Sequence, residues 1–398
     1  DKNGQVTVTG LTTGRHILRI EKDGMAAYQV ITARGVSYDL IDADGNEKAS
    51  TIADLRPIIS AKLPVEDPVL WNGRKNPYLY TVRCEIFDST TQEVTDNIDI
   101  RTGLREYHID SHKGFFLNGE HIKLQGVSRH QDRENMGNAI TEKQHAEDVK
   151  IILDVGANSV RLAHYQQNSY FYDLCDESGL LVWAEVPVIS RFSPKRNENA
   201  EQQLVELIKQ NYNHPSIFCW GIENEITIAG SASKKLITFL KHMHKVARHL
   251  DPTRYTTCAQ LTMCPVNSPL NHITDIIGYN HYYGWYMGSC DEINNWLDEW
   301  HRENPEGKLC LSEYGAEGIT KYHSDSPVQG DYSEDYQAIY HEHYIKSINE
   351  RDWLWGSYVW NMFDFGSASR NEGGVRGRNN KGLVTFDRKT KKDAYFIY

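Results

Sequence analysis

Two carboxylates in this chain close short apolar runs of strand type. The first is Glu225, which follows Asn224 and, further back, the run Ser216-Ile217-Phe218-Cys219. The second is Glu313, at the end of Leu309-Cys310-Leu311-Ser312. A strand ending in a carboxyl with an amide beside it presents an acid and a hydrogen-bond donor at a sheet edge. Joined by a second carboxylate, the acid can protonate a leaving oxygen while its partner attacks the carbon left behind, the division of labour in glycosidic bond cleavage. A lone Asn-Glu pair is commonplace in loops; its recurrence as a kind of strand ending gives it meaning.

The interval between the two tests a fold. They lie 313 − 225 = 88 residues apart. A (β/α)8 barrel spends ~31 residues on each strand–helix unit, since ~250 residues make eight. The interval is therefore close to three units. If Glu225 ends strand 4, Glu313 ends strand 7, and both face the mouth where such barrels build their sites.

Composition narrows the function classes. With 398 residues the chain holds more than one domain, or one barrel with an appendage. The net charge of −11 and the lack of a basic run argue against a nucleic-acid partner. No apolar run approaches the ~20 residues needed to span a membrane. The 23 Tyr and 9 Trp suit sugar binding, because ring faces pack on C–H groups while polar edges hydrogen-bond. Seven scattered cysteines (84, 175, 219, 258, 264, 290 and 310) lack metal spacing, and several fall in apolar runs, so buried free thiols are expected. The chain opens on Asp1 with no initiator Met or leader, so it is read as processed or truncated. Unpaired cysteines and the missing leader favour the cytoplasm, and a processed start would instead fit the periplasm or the exterior. Self-association stays open.

Residues 1 to about 111 read as β. Val6-Thr7-Val8-Thr9, His16 to Ile20 and Tyr78 to Ile86 alternate or carry β-branched runs, with glycine turns between several of them. The expected organisation is a β segment over 1–35, a small β-sandwich over 36–110 and a barrel over 111–398. After Asp110 strands and helices alternate. Strands are predicted around 121–127, 159–162, 180–183, 216–224, 255–258, 275–279, 309–313 and 356–360. Helices are predicted over about 141–155, 169–177, 201–211, 234–250, 291–302 and 335–349, the first opened by a Thr141/Gln144 capping box. The fold class is α/β, a (β/α)8 TIM barrel preceded by a small β-sandwich.

Other strand ends aim polar groups at the same face: Arg161 and His164 from strand 2, Asn280, Tyr282 and Tyr283 from strand 6, Trp360 and Asp364 from strand 8. An Arg or Tyr beside Glu313 would favour its ionised form, and Glu313 in turn would raise the pKa of Glu225 by like-charge repulsion.

These motifs resemble glycoside hydrolase family 2, the β-galactosidase and β-glucuronidase family. The resemblance is carried by Asn213-His214-Pro215-Ser216 and Trp220 to Glu225, by Gly126 to Asp132, by Gly156 to Tyr165, and by Leu174 to Leu180. It continues through Asn280 to Tyr286, Ser312-Glu313-Tyr314-Gly315, Val359 to Phe365 and Lys381 to Lys389, covering about residues 65–398. It implies that Glu225 is the acid/base and Glu313 the nucleophile, with Asn224 on the sugar 2-hydroxyl and Tyr282 orienting the nucleophile. Arg161 and His164 would shape the glycone subsite, with Trp360 its aromatic floor. The β segment before the barrel looks like the family's immunoglobulin-like domain, marked by Leu70-Trp71-Asn72-Gly73 and Asn76 to Tyr80.

Two departures stand out. The family's N-terminal jelly-roll domain, which can lend loops to the glycone site, is not recognisable in residues 1–35. Large magnesium-dependent relatives carry a Glu and a His shortly after strand 3, where this chain has Ile189 and Arg191, so neither metal nor cofactor is expected. The expected activity is that of a retaining exo-β-glycosidase whose partner is a small glycoside or oligosaccharide. The Arg129-His130-Gln131-Asp132 motif, Glu313 to Ala316 and the tail from Phe363 to Ala394 resemble the galactosidase branch, placing His130 and Asp132 among the binding residues. Asn379-Asn380-Lys381 fits the Asn-x-Lys pattern by which β-glucuronidases hold a uronate carboxylate, which adds Asn379 and Lys381. The motifs favour a β-galactoside, with β-glucuronide as the alternative. A sugar-binding remnant without catalysis is the reading from another class.

Overall fold

The computed structural model describes residues 65–83, 93 and 97–398 in full, and 5–8, 15–22, 25–31, 36–41, 47–53, 59–62, 84–87 and 94–96 as strand backbone. The Cys84 thiol lies outside the described residues. The chain divides into two compact units, residues 1–106 with 213–215, and 107–212 with 216–398. In the first unit, one antiparallel sheet runs in the order Val94–Thr102, Tyr80–Phe87, Arg15–Lys22, Met25–Ile31. Strand pairing therefore runs across the boundary expected at residue 35.

The second unit opens with a three-stranded antiparallel sheet, Tyr107–Asp110, Gly114–Leu117 and Glu120–Ile122. The predicted first barrel strand ran these last residues into the barrel; the chain breaks at Lys123, and only Leu124–Ser128 (β1) enters it. The closed parallel barrel continues with Ser159–Leu162 (β2), Leu181–Glu185 (β3), Ile217–Asn224 (β4), Tyr255–Leu261 (β5), Ile276–Asn280 (β6), Leu309–Tyr314 (β7) and Gly356–Val359 (β8). Glu225 directly follows β4 and Glu313 lies in β7, as the interval between them predicts.

The helices around it are Glu142–Asp154 (α1), Ser169–Ser178 (α2), Asn197–Asn211 (α3), Lys234–Leu250 (α4), Glu292–Glu303 (α5) and Glu334–Asn349 (α6). Their limits follow from caps and apolar spacing. Gln144 Oε1 accepts the Thr141 N–H at 2.7 Å, and Ser233 Oγ accepts from Leu236 N at 3.2 Å. Leu236, Phe239, Leu240, Met243 and Ala247 recur every three or four residues and are the buried face of α4. Between β5 and β6 only a short turn, Pro269–His272, replaces a helix, and β8 is followed by a hairpin, Phe365–Glu372 with Val375–Asn379.

Large rings fill the barrel where facing strands offer small residues. A Cβ on Gly278 would stand 2.9 Å from the Trp183 ring, and one on Gly221 would stand 2.6 Å from Trp183 Nε1 and 2.5 Å from Glu185 Cβ. The indole thus fits only because both positions lack a side chain. Arg161 lies above it, its guanidinium carbon 4.9 Å from the ring centroid, so core packing and site share one layer boundary. Gly221→Ala should accordingly push Trp183 and Glu185 together out of place. The expected result is a loss of about 1–3 kcal/mol in denaturant unfolding together with reduced turnover, whereas a neutral outcome in both assays would show that the layer can slide.

Candidate active site

Five residues from four strand ends meet around one buried guanidinium. Arg161 of β2 donates from Nε to Glu185 Oε2 at 3.0 Å, from Nη2 to Glu185 Oε1 at 3.1 Å and from Nη1 to Glu313 Oε1 at 2.7 Å. Nη2 also reaches Asn224 Oδ1 at 2.7 Å, and Nη1 the Ser312 carbonyl at 3.1 Å. Burial alone would make this cation easier to deprotonate, but Glu185 and Glu313 more than reverse that. Glu185 is likewise buried, yet Arg161 and a 2.6 Å contact to His164 Nδ1 hold its carboxyl below the usual range.

Glu313 is gripped on its other oxygen by Tyr282, whose hydroxyl donates to Oε2 at 2.7 Å. Two hydrogen bonds from opposite sides fix its orientation. Asn224 Oδ1, besides Arg161, accepts Asn280 Nδ2 at 3.2 Å, and Ser312 Oγ donates to Asn280 Oδ1 at 2.7 Å. Glu225 is partly exposed and takes the left-handed backbone conformation, φ +48°. Burial first and the Glu313 charge second push its acid up to about 7, against hydrogen bonding from Asn280. The two carboxyls thus differ in setting, as a division of roles requires.

The aromatic wall comes from β8 and the loops after β1 and β2. Trp360 stacks on the His164 ring at 5.0 Å and 22°, and meets His130 edge-on at 5.3 Å. The His130 imidazole is held well below its usual range by burial and by the charges of His164 and Arg161. Gly315 lets this wall approach, because a side chain there would strike the Trp360 carbonyl.

Not every expected residue joins this group. The Asp132 carboxylate accepts Gly366 N–H at 2.8 Å, and its carbonyl takes Arg388 at 2.7 Å, so it ties loops beneath the wall. Asp364 accepts from the buried Lys392 ammonium at 2.7 Å and from Gly382 N–H at 2.9 Å. Tyr283 stacks on His281. Asn379 caps the Lys381 backbone N–H at 3.0 Å, while Lys381 Nζ reaches Tyr286 Oη at 2.6 Å and Glu317 Oε1 at 3.1 Å. Arg370 joins the same cluster, donating to Glu317 at 2.8 Å, Glu372 at 2.6 Å and Tyr286 at 2.9 Å. The cluster adjoins the carboxyl pair through Tyr282, whose ring centre is 5.8 Å from Lys381 Nζ.

Glu185, Glu223, Glu317 and Arg370 escaped the sequence reading. Glu185 had the same signal as the other two, a carboxyl closing an apolar strand. Glu317 lies in a loop and Arg370 in the hairpin after β8, with no such mark.

A closed parallel barrel with two carboxyls at the mouth ends of strands 4 and 7 defines a class of glycoside-cleaving enzymes. The chain belongs to glycoside hydrolase family 2: residues 109–397 match the Glycosyl hydrolases family 2, TIM barrel domain, and residues 21–105 match Glycosyl hydrolases family 2. It is 41% identical over 391 residues to a beta-glucuronidase of Bacteroides fragilis, which spans 94% of this chain and 54% of that protein. It is 26% identical to a beta-galactosidase of Thermoanaerobacter pseudethanolicus, across 93% of this chain and 44% of that protein. The crystal structure of an FMN-binding beta-glucuronidase from Faecalibacterium prausnitzii L2-6 superposes with a TM-score of 0.85 at 45% identity, covering 99% of this chain and 61% of that one. The chain thus spans about half the length of the curated relatives it matches.

A third buried carboxyl, Glu223, is pushed up to about 8 by burial. Its sign for stability is definite. The fold holds its proton, so its contribution is complete below the unfolded value of 4.5 and is lost as pH rises from there to about 8. Glu223→Gln cannot ionise and should flatten that loss, gaining about 1 kcal/mol or more on the parent between pH 5 and pH 8 in denaturant titrations. Parallel pH curves for the two proteins would rule Glu223 out as the ionising group.

Proposed function

We propose that this chain carries the catalytic site of a retaining exo-β-glycosidase acting on terminal β-glucuronides. In the first step Glu313 attacks the anomeric carbon, the bond to the leaving oxygen breaks, and that oxygen takes the Glu225 proton. In the second, Glu225 removes a proton from water, which displaces Glu313 and regenerates both carboxyls. Arg161 and Tyr282 keep the attacking carboxylate in place, and Asn224 faces the sugar ring beside the acid. A spacing of ~5–5.5 Å between the two carboxyls suits this course.

The sugar preference departs from what the motifs favoured. Beta-glucuronidases stand at 41% and 45% identity, whereas a putative beta-galactosidase of known structure stands at 36% and a curated beta-galactosidase at 26%. The observation that carries the uronate reading is the pair of cations, Lys381 and Arg370, held together one ring away from the Tyr282–Glu313 bond. A charge-assisted hydrogen bond to a substrate carboxylate contributes about 1.5–3 kcal/mol, enough to separate a uronide from a neutral glycoside. The galactoside reading retains the His130–Trp360–His164 wall, which serves either sugar.

Glu313→Ala should abolish turnover of every substrate. Glu225→Ala should spare activated aryl glycosides, respond to added azide, and lose the alkaline limb of kcat/KM expected near the Glu225 value of about 7. Azide rescue of the Glu313 variant with formation of the opposite anomer would reverse the two roles. A 4-nitrophenyl β-glucuronide should be turned over with higher kcat/KM than the β-galactoside, and Lys381→Ala should erase that preference by roughly tenfold or more. A galactoside preference that survives Lys381→Ala would restore the other reading.

A further inference from the structure

Glu225 must present its carboxyl from an awkward stretch of backbone. The register between β4 and β5 shifts by one residue between Gly221 and Glu223, so the last residues of β4 are stepped before the strand ends. Glu225 then turns into the left-handed region, which strains a residue that carries a side chain. Something around it has to hold that turn.

Its own backbone makes two bonds: Glu225 N–H donates to the Ala259 carbonyl at 2.8 Å, and its carbonyl accepts Ile228 N–H at 2.9 Å. The amide that follows, Ile226 N–H, has a side-chain partner, Glu223 Oε2 at 3.0 Å. Glu223 thus straddles Glu225, anchored in β4 on one side and gripping the chain on the other. It is fully buried, and its second oxygen accepts Gln260 Nε2 at 2.9 Å, with the Cys258 thiol as a further partner. The oxygen of that amide, Gln260 Oε1, is buried with no partner among the described residues. Turning the amide would let it accept a proton carried by Glu223, so the clamp can close with Glu223 neutral or ionised.

We propose that Glu223 is a positioning residue, which acts through the Ile226 amide to fix the turn presenting the Glu225 carboxyl to the leaving group. The inference rests on Glu225 being the acid. A loosened turn misplaces the proton donor while leaving Glu313 and its partners untouched, and misplacement by a fraction of a bond length costs rate steeply. Only substrates that need a proton on the leaving oxygen should feel it.

The test compares kcat/KM for a phenyl glycoside, a poor leaving group, with the 2,4-dinitrophenyl glycoside, which needs no acid. Thermal unfolding confirms that each variant is folded. Glu223→Ala should lose about tenfold or more on the phenyl substrate and about twofold or less on the dinitrophenyl one. Glu223→Gln, which still accepts from Ile226, should recover most of the loss. Equal losses on both substrates, or none in a folded Glu223→Ala protein, overturn the proposal. If Glu223→Ala does not fold, Gln260→Ala is read by the same ratio, and an unchanged ratio overturns it. Glu225→Ala is the reference: a split there without one in Glu223→Ala sinks this inference alone, whereas no split in Glu225→Ala sinks the acid assignment and this inference with it.

Discussion

A fully buried guanidinium has to find every partner inside the protein, and Arg161 sets the terms for everything near it. Its five N–H groups are shared among Glu185, Glu313, Asn224 and the Ser312 carbonyl. A buried cation with one carboxylate removed would be strongly destabilising, by about 3–5 kcal/mol, so these groups depend on one another. The arrangement couples stability to geometry. The side chain that keeps Arg161 neutralised from below, Glu185, is also the one that orients His164 against Trp360.

The charge count explains the separate treatment of the two mouth carboxyls. Arg161 faces Glu185 and Glu313, so one cation already answers two anions. A third negative charge at Glu225 has no ion-pair partner among the described residues, and burial together with the Glu313 charge pushes its acid up to about 7. The same economy appears outside the carboxyl pair, where two cations, Arg370 and Lys381, share Glu317. That cluster lies on the far side of Tyr282, a ring that belongs to both networks through its hydroxyl and its face.

Rigid support and approach are divided between strands and loops. The strands bring Arg161, Glu185, Asn224, Asn280 and Glu313 together as fully or nearly fully buried side chains. The loops after β6 and β7 and the hairpin after β8 carry Tyr286, Glu317 and Arg370, outside the barrel's ladder of hydrogen bonds.

Much of this was readable in one dimension. Apolar runs closing in a carboxyl, at an interval fitting three strand–helix units, placed Glu225 and Glu313 on strands 4 and 7 of a barrel. An amphipathic run ending before Asp251-Pro252 bounded α4 at Lys234–Leu250 to the residue. What remained hidden depends on distance in space. Asp364 and Asp132 have the residue types of a binding site, and only the fold shows that one bonds Lys392 and the other the Gly366 amide. Lys381 matched a short pattern, but its pairing with Glu317, 64 residues away, decides how much of its charge is left for a ligand. Residue type and period belong to the chain itself. Which charges neutralise one another is settled only when the barrel closes, because that balance depends on separations of a few ångströms between strands far apart in sequence.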